Sequence, residues 1–115
     1  MRLELLRTSF STADTSYPEL SSGEGTLLVR FESASGESVC VEYREVAAFS
    51  WQENNGELLP GEPWDGACEL FESSLLAAHP QGLTMHSLSK LRHLRFNFNE
   101  CGRLEVLCSE FTQRA

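Results

Sequence analysis

The chain is short of positive charge. Its 115 residues hold nine Lys and Arg against seventeen Asp and Glu, a formal net charge of −8 with a pI near 4.8. Phosphate contact needs clustered Lys and Arg, so this balance argues against nucleic acid as the main partner. It argues equally against an anionic membrane surface. Long hydrophobic runs are also missing, and none approaches the ~20 residues that span a bilayer. The start, MRLELLRTSF, interrupts its apolar run with Glu4 and Arg7 and so has no signal-peptide core. The expected location is cytoplasmic. Cysteine is sparse, and the spacing of Cys40, Cys68, Cys101 and Cys108 does not resemble a disulfide framework. Reduced thiols acting as small hydrophobes are the expectation.

What is present is enough for one packed domain spanning residues 1–115. Hydrophobic residues make up 41% of the chain, and seven Phe and two Trp each bury a large area. The acidity is uneven. Glu19 to Glu72 holds twelve acids and two bases, a net −10, whereas Lys90 to Arg103 holds four bases against Glu100, a net +3. Two readings follow: solvated faces that keep the protein soluble, or a long acidic surface that steers a basic partner.

Alternation of apolar and polar residues predicts strands. TLLVRFE puts Leu27, Val29 and Phe31 on one face. After a turn at Gly36, SVCVEYR does the same with Val39, Val41 and Tyr43. EVAAFSWQ continues with Ala47, Phe49 and Trp51 in phase, and Asn55-Gly56 then signals a tight turn. The first ten residues form one short element of open type. Ser11 to Gly25, rich in Ser, Thr, Gly and Pro, reads as an irregular connection pinned by Tyr17 and Leu20. LLPGEPWDG is a loop. ACELFESSLLAAHP fits either a helix or a strand through CELFES followed by a helical turn, with His79-Pro80 ending it. QGLTMHSLSK is a connector.

The stretch HLRFNFNECGRLEVLCSEF is the clearest hairpin. A two-residue Cys101-Gly102 turn would mix faces. A three-residue loop, Glu100 to Gly102, places Phe98 opposite Leu104, Phe96 opposite Val106 and Leu94 opposite Cys108, with glycine in the left-handed position. The reverse face then carries His93, Arg95, Asn97 and Asn99 against Ser109, Leu107, Glu105 and Arg103, with Leu91 and Phe111 closing the far end. That face is either a solvated surface or the floor of a binding site. The candidate binding residues are therefore His93, Arg95, Asn97, Arg103 and Glu105, together with Trp51 and Trp64, which flank the Asn-Gly turn. The expected core comprises Leu27, Val29, Phe31, Val39, Val41, Tyr43, Phe49, Leu94, Phe96, Phe98, Leu104 and Val106.

Catalytic and metal motifs are missing. His79, His86 and His93 fall seven apart, as do Cys101 and Cys108, and neither spacing matches a zinc site. Cys101 lies near Arg103, which would lower a thiol pKa, yet His93 is roughly 25 Å away along an extended strand. The carboxylate pairs Glu42/Glu45, Glu62/Asp65 and Glu69/Glu72 read mostly as surface charge. No glycine loop has phosphate-cradle form. No cofactor and no catalytic residue are expected.

The series EYREVAAFSWQE, CELFESS, LRHLRFNFN and LEVLCSEF resembles the strand order of small uncharacterised bacterial domains, some of which serve as immunity proteins for polymorphic toxins. The resemblance covers roughly residues 26 to 111. It implies that CELFES is a strand and that the role is non-enzymatic protein binding. An acidic surface suits that role, because toxins that attack nucleic acid are often basic. The expected fold is α+β: a mostly antiparallel β-sheet domain of five to seven strands, rich in hairpins, with one or two short helices. The leading functional expectation is an immunity-like inhibitor that binds a basic protein partner. A self-associating homodimer, and a small-ligand-binding or enzymatic domain using the polar face of residues 91–111, are the alternatives.

Overall fold

In the computed structural model, the described residues are 2–53, 57–78 and 91–114. They form nine strands and one short helix: β1 (Arg2–Leu6), β2 (Glu19–Gly23), β3 (Thr26–Glu32), β4 (Ser38–Arg44), β5 (Ala48–Glu53), β6 (Gly66–Phe71), α1 (Ser74–Ala77), β7 (Arg92–Phe98), β8 (Gly102–Cys108) and β9 (Glu110–Arg114). All pairings are antiparallel. One sheet runs β1-β6-β7-β8-β5 and the other β2-β3-β4-β9. The mostly antiparallel β character is as the alternation predicts. The strand count exceeds five to seven because short, weakly alternating segments also pair: β1, β2 inside the Ser11–Gly25 connection, and β9. CELFES is a strand followed by a helical turn. The Asn55-Gly56 turn, His79-Pro80, His86 and the QGLTMHSLSK connector lie outside the described residues.

The sheets pack face to face. From one side come Leu27, Val29, Phe31, Val39, Val41 and Tyr43; from the other come Ala67, Leu94, Phe96, Phe98, Leu104, Val106 and Cys108. Phe31 meets Phe98 edge-on at 5.2 Å and Tyr43 meets Phe96 at 5.3 Å. Full burial of such side chains stabilises by about 1.5–3 kcal/mol each. Phe49 is a correction. It shares a face with Val106, but β5 is an edge strand and the ring stays 41% exposed.

The chain changes sheet three times, from β1 to β2, from β4 to β5 and from β8 to β9. Between β4 and β5, Val46 N–H donates to the Gly25 carbonyl and Ala47 N–H to the Leu107 carbonyl. Between β8 and β9, Ser109 N–H donates to the Arg44 carbonyl. Phe111 therefore belongs to the second sheet, opposite Tyr43, and does not close the β7–β8 hairpin.

The hairpin loop is also shifted. It comprises Asn99, Glu100 and Cys101, and Phe98 pairs with Gly102, Phe96 with Leu104 and Leu94 with Val106. The pairing register shifts by two residues, so every side chain keeps its expected face. Gly102 is not the turn residue. A Cβ there would collide with the Gln52 carbonyl oxygen, so glycine lets β5 approach β8.

Candidate functional site

The corrected register sets Arg95 directly opposite Glu105 and Asn97 opposite Arg103 on the outer face of the first sheet, away from the sandwich core. Cys68 lies beside Arg95 and Leu70 beside His93 on β6. This face is not open to water. His93, Asn97 and Arg103 are 3%, 0% and 6% exposed. The loop before β6 and the start of α1 lie against it, and each contributes one polar side chain.

The loop brings Glu62. Leu59 and Glu62 close a small ring: Glu62 N–H donates to the Leu59 carbonyl, and Leu59 N–H donates to Glu62 Oε1, both at 2.9 Å. The carboxylate so held is fully enclosed. Arg95 Nη1 donates to its Oε1 at 2.9 Å, Asn97 Nδ2 to its Oε2 at 2.8 Å, and Arg103 Nη2 lies 3.4 Å from Oε2. Arg103 Nε donates to Asn97 Oδ1 at 3.0 Å. Each heavily buried charge thus has a counter-charge within 3.4 Å, and Arg103 makes its hydrogen bonds to Asn97 Oδ1 and the Glu57 carbonyl, the condition under which ionised groups are tolerated in an interior. Glu62 is a correction, since it is buried rather than surface charge.

The start of α1 brings Ser73. Its Oγ lies 2.8 Å from His93 Nδ1, and it accepts the Leu76 N–H as the helix N-cap. His93 Nε2 lies 2.9 Å from Glu105 Oε1, the oxygen that also accepts Arg95 Nε at 2.6 Å. The His93 hydrogen bond, followed by the hydrogen bond and charge of Arg95, holds the Glu105 carboxyl down at about 2, outweighing the upward effect of burial. Burial pulls the Arg95 guanidinium down, but Glu105 and Glu62 outweigh it and the net shift is upward. An ionised Glu105 only accepts, so the facing His93 nitrogen carries a proton. In the neutral ring Nδ1 then accepts from the Ser73 hydroxyl.

The remaining sequence candidates lie elsewhere. Trp51 packs on Phe98 at 5.8 Å on the core side and donates its Nε1–H to the Tyr17 hydroxyl. Trp64 is 60% exposed in the loop. Neither joins His93. Cys101 is half-buried against the core rather than an exposed loop thiol, and burial pushes its pKa up, not down. Among the described residues no group of three or more His, Cys, Asp or Glu is placed to hold a metal. No described helix is long and apolar enough to cross a membrane.

The interior network changes the surface. Arg95 and Arg103 are used inside, and Arg92 is held by Glu69 at 2.8 Å. The +3 segment therefore does not present a basic patch through these three residues. A strap over residues 11–18 crosses one end of the sandwich. Thr12 bridges the Asn97 carbonyl and Gly66 N–H, Asp14 exchanges hydrogen bonds with Asn99, and Ser16 bonds the Glu32 backbone. Tyr17, 52% exposed, donates to Glu53 at 2.6 Å. Asp14, Glu32, Glu53 and Glu100 share this end, and none forms an ion pair with a described base. An open groove of about 510 Å³ is lined by Tyr17, Glu19, Glu32, Arg30 and Arg114, with Arg30 directly opposite Glu19.

Comparison with known proteins finds no matching family model, no matching curated protein and no matching solved structure.

Sequence reasoning brought His93, Arg95, Asn97, Arg103 and Glu105 to one face, and the structure joins them. It missed Glu62 and Ser73, which arrive from a loop and a helix cap. The only sequence signal for Glu62 is an acid fixed between Gly61 and Pro63.

Proposed function

We propose that the chain is a cytoplasmic bacterial protein-interaction domain that binds a basic protein partner through its acidic exterior, in the manner of an immunity-like inhibitor. The observation that carries this reading is the sequestration of Arg92, Arg95 and Arg103 by Glu69, Glu62 and Glu105. The exposed acids at the strap end form no ion pair with a described base. Tyr17, rigid, amphipathic and half-exposed among them, is the residue type that anchors protein interfaces.

Self-association fits less well. Every sheet edge carries an exposed acid: Glu4 on β1, Glu19 on β2, Glu53 on β5 and Glu110 on β9. Charged edges oppose pairing with a second copy and favour an oppositely charged partner. The polar face of the last hairpin is already occupied by its own partners, which removes it as an open ligand floor.

The test is capture of host proteins on the immobilised domain at low and high salt, beside a variant with Asp14, Glu32 and Glu53 changed to Lys. A basic protein retained by the native domain at low salt, released at high salt and lost by the folded variant is the expected result. Retention unaffected by salt and by charge reversal would overturn the reading.

A further inference from the structure

Beyond partner binding, we infer that the open groove on the outer face of the second sheet takes a small zwitterionic disulfide, and that Cys40 forms a mixed disulfide with it. Register sets the placement. Val39 and Val41 are buried in the core, so Cys40 between them faces outward. Arg30 pairs with Cys40 on one side and Arg114 on the other, and Glu19 pairs with Arg30. The four residues form one row across the whole sheet: acid, base, thiol, base. Directly paired residues stand about 4.5–5.5 Å apart at Cα. All four line the groove of about 510 Å³, and Glu32 lines it too. That volume lies in the range of small-ligand sites.

The charges of the row point to the ligand. Arg30 is exposed and forms no ion pair with a described acid, although Glu19 stands opposite. Arg114 Nε lies 3.6 Å from Glu42 Oε1, while the other oxygen of that carboxylate holds Arg44 at 3.1 Å. Two guanidiniums thus flank the thiol, placed to take carboxylates. Glu19 and Glu32 supply the opposite charge for an ammonium group. A disulfide built from an amino acid or a short peptide carries both. The other thiols have no such setting: Cys68 and Cys108 are fully enclosed, and Cys101 packs against the core.

The exchange balances. Cys40, as its thiolate, attacks one sulfur of the small disulfide. The old S–S bond breaks as the bond to Cys40 Sγ forms, and the departing half takes up the proton that Cys40 released. The small disulfide is the oxidant, one small thiol is the product, and an excess of that thiol reverses the step. The groove's part is to hold the charged groups so that the disulfide stays beside Sγ.

An accessible thiol would form mixed disulfides without help from a groove, so the test compares disulfides of different charge. The reduced, folded protein is incubated at neutral pH with glutathione disulfide, with cystine and with uncharged hydroxyethyl disulfide, and the adduct on Cys40 is followed by peptide mass. The same series is run on the Arg30→Gln/Arg114→Gln variant, checked for folding by a thermal melt. Division by the hydroxyethyl disulfide rate cancels any general change in thiol reactivity. On that scale the variant should react about 10-fold more slowly with at least one charged disulfide. Loss with glutathione disulfide alone marks a peptide-sized ligand, and loss with cystine marks an amino-acid-sized one. If the double variant does not fold, Arg30→Gln alone replaces it, with a smaller loss in the same direction. Equal slowing of all three disulfides, or no slowing, would overturn the inference. The assay contains no partner protein, so it fails separately from the proposed function.

Discussion

Glu62 and Arg95, thirty-three residues apart in the chain, meet through Oε1 and Nη1 at 2.9 Å beneath the surface. The carboxylate also holds Asn97 and Arg103, so one loop side chain satisfies three groups on the sheet. Removing it would leave Arg103 without its paired acid in a covered site, while Arg95 keeps Glu105. Breaking such a pair by deleting one partner costs about 3–5 kcal/mol. Glu62→Ala should lower the urea unfolding free energy by that amount. A loss below about 1 kcal/mol would show that the network is solvated rather than enclosed.

Acid should act on the same network. The folded-state pKa of Glu105 is depressed to about 2 from an ordinary 4.5. Its contribution is therefore complete above about pH 4.5 and lost as pH falls toward 2. Urea unfolding at a series of pH values should show this decline, and Glu105→Gln should flatten that part of it. Identical acid slopes for the two proteins would contradict the assignment.

Alkali should destabilise through the thiols. Burial pushes Cys68 up to about 11 and Cys108 up to about 12 from an ordinary 9, and buried Tyr43 moves in the same direction. The folded state then holds protons that the unfolded state releases. Stability is full below about pH 9 and falls as pH rises from there toward 12. Iodoacetamide at pH 8 should modify Cys40 while Cys68 and Cys108, both fully enclosed, stay unmodified until the protein unfolds. Equal labelling of all four native thiols would refute this.

Gly102 has a separate role. A Cβ there meets the Gln52 carbonyl oxygen and the Trp51 ring, so Gly102→Ala forces β5 away from β8. Overpacking of this kind costs about 1–3 kcal/mol. Amide hydrogen exchange should show the loss first at Trp51 to Glu53, on the edge strand. Uniform destabilisation without local opening there would point to a different cause.

The sandwich was legible where alternation was strong. TLLVRFE, SVCVEYR and the last hairpin gave both strand and face, because one buried side imposes period two on the sequence. Phe49 kept that phase and still lies exposed, since phase tells the face but not the distance from a sheet edge. The hairpin loop moved by one residue and the pairing register by two, because the preference for glycine in a turn was stronger, as a sequence signal, than the close β5–β8 approach that Gly102 serves. The polar face was legible as a set of residues but not as a closed one. Its cover comes from Glu62 and Ser73, whose partners lie 33 and 20 residues away in the chain and leave no periodic trace.

The acidic exterior depends on the arginines of the last hairpin lying inside. Phenylglyoxal modification of the folded protein, followed residue by residue by mass spectrometry, measures this directly. Arg7 and Arg30, both exposed, should react quickly, while Arg95 and Arg103 should be protected until denaturant is added. Reaction of Arg95 and Arg103 at the rate of Arg30 would place basic charge back on the surface and contradict the acidic exterior on which the proposed function rests.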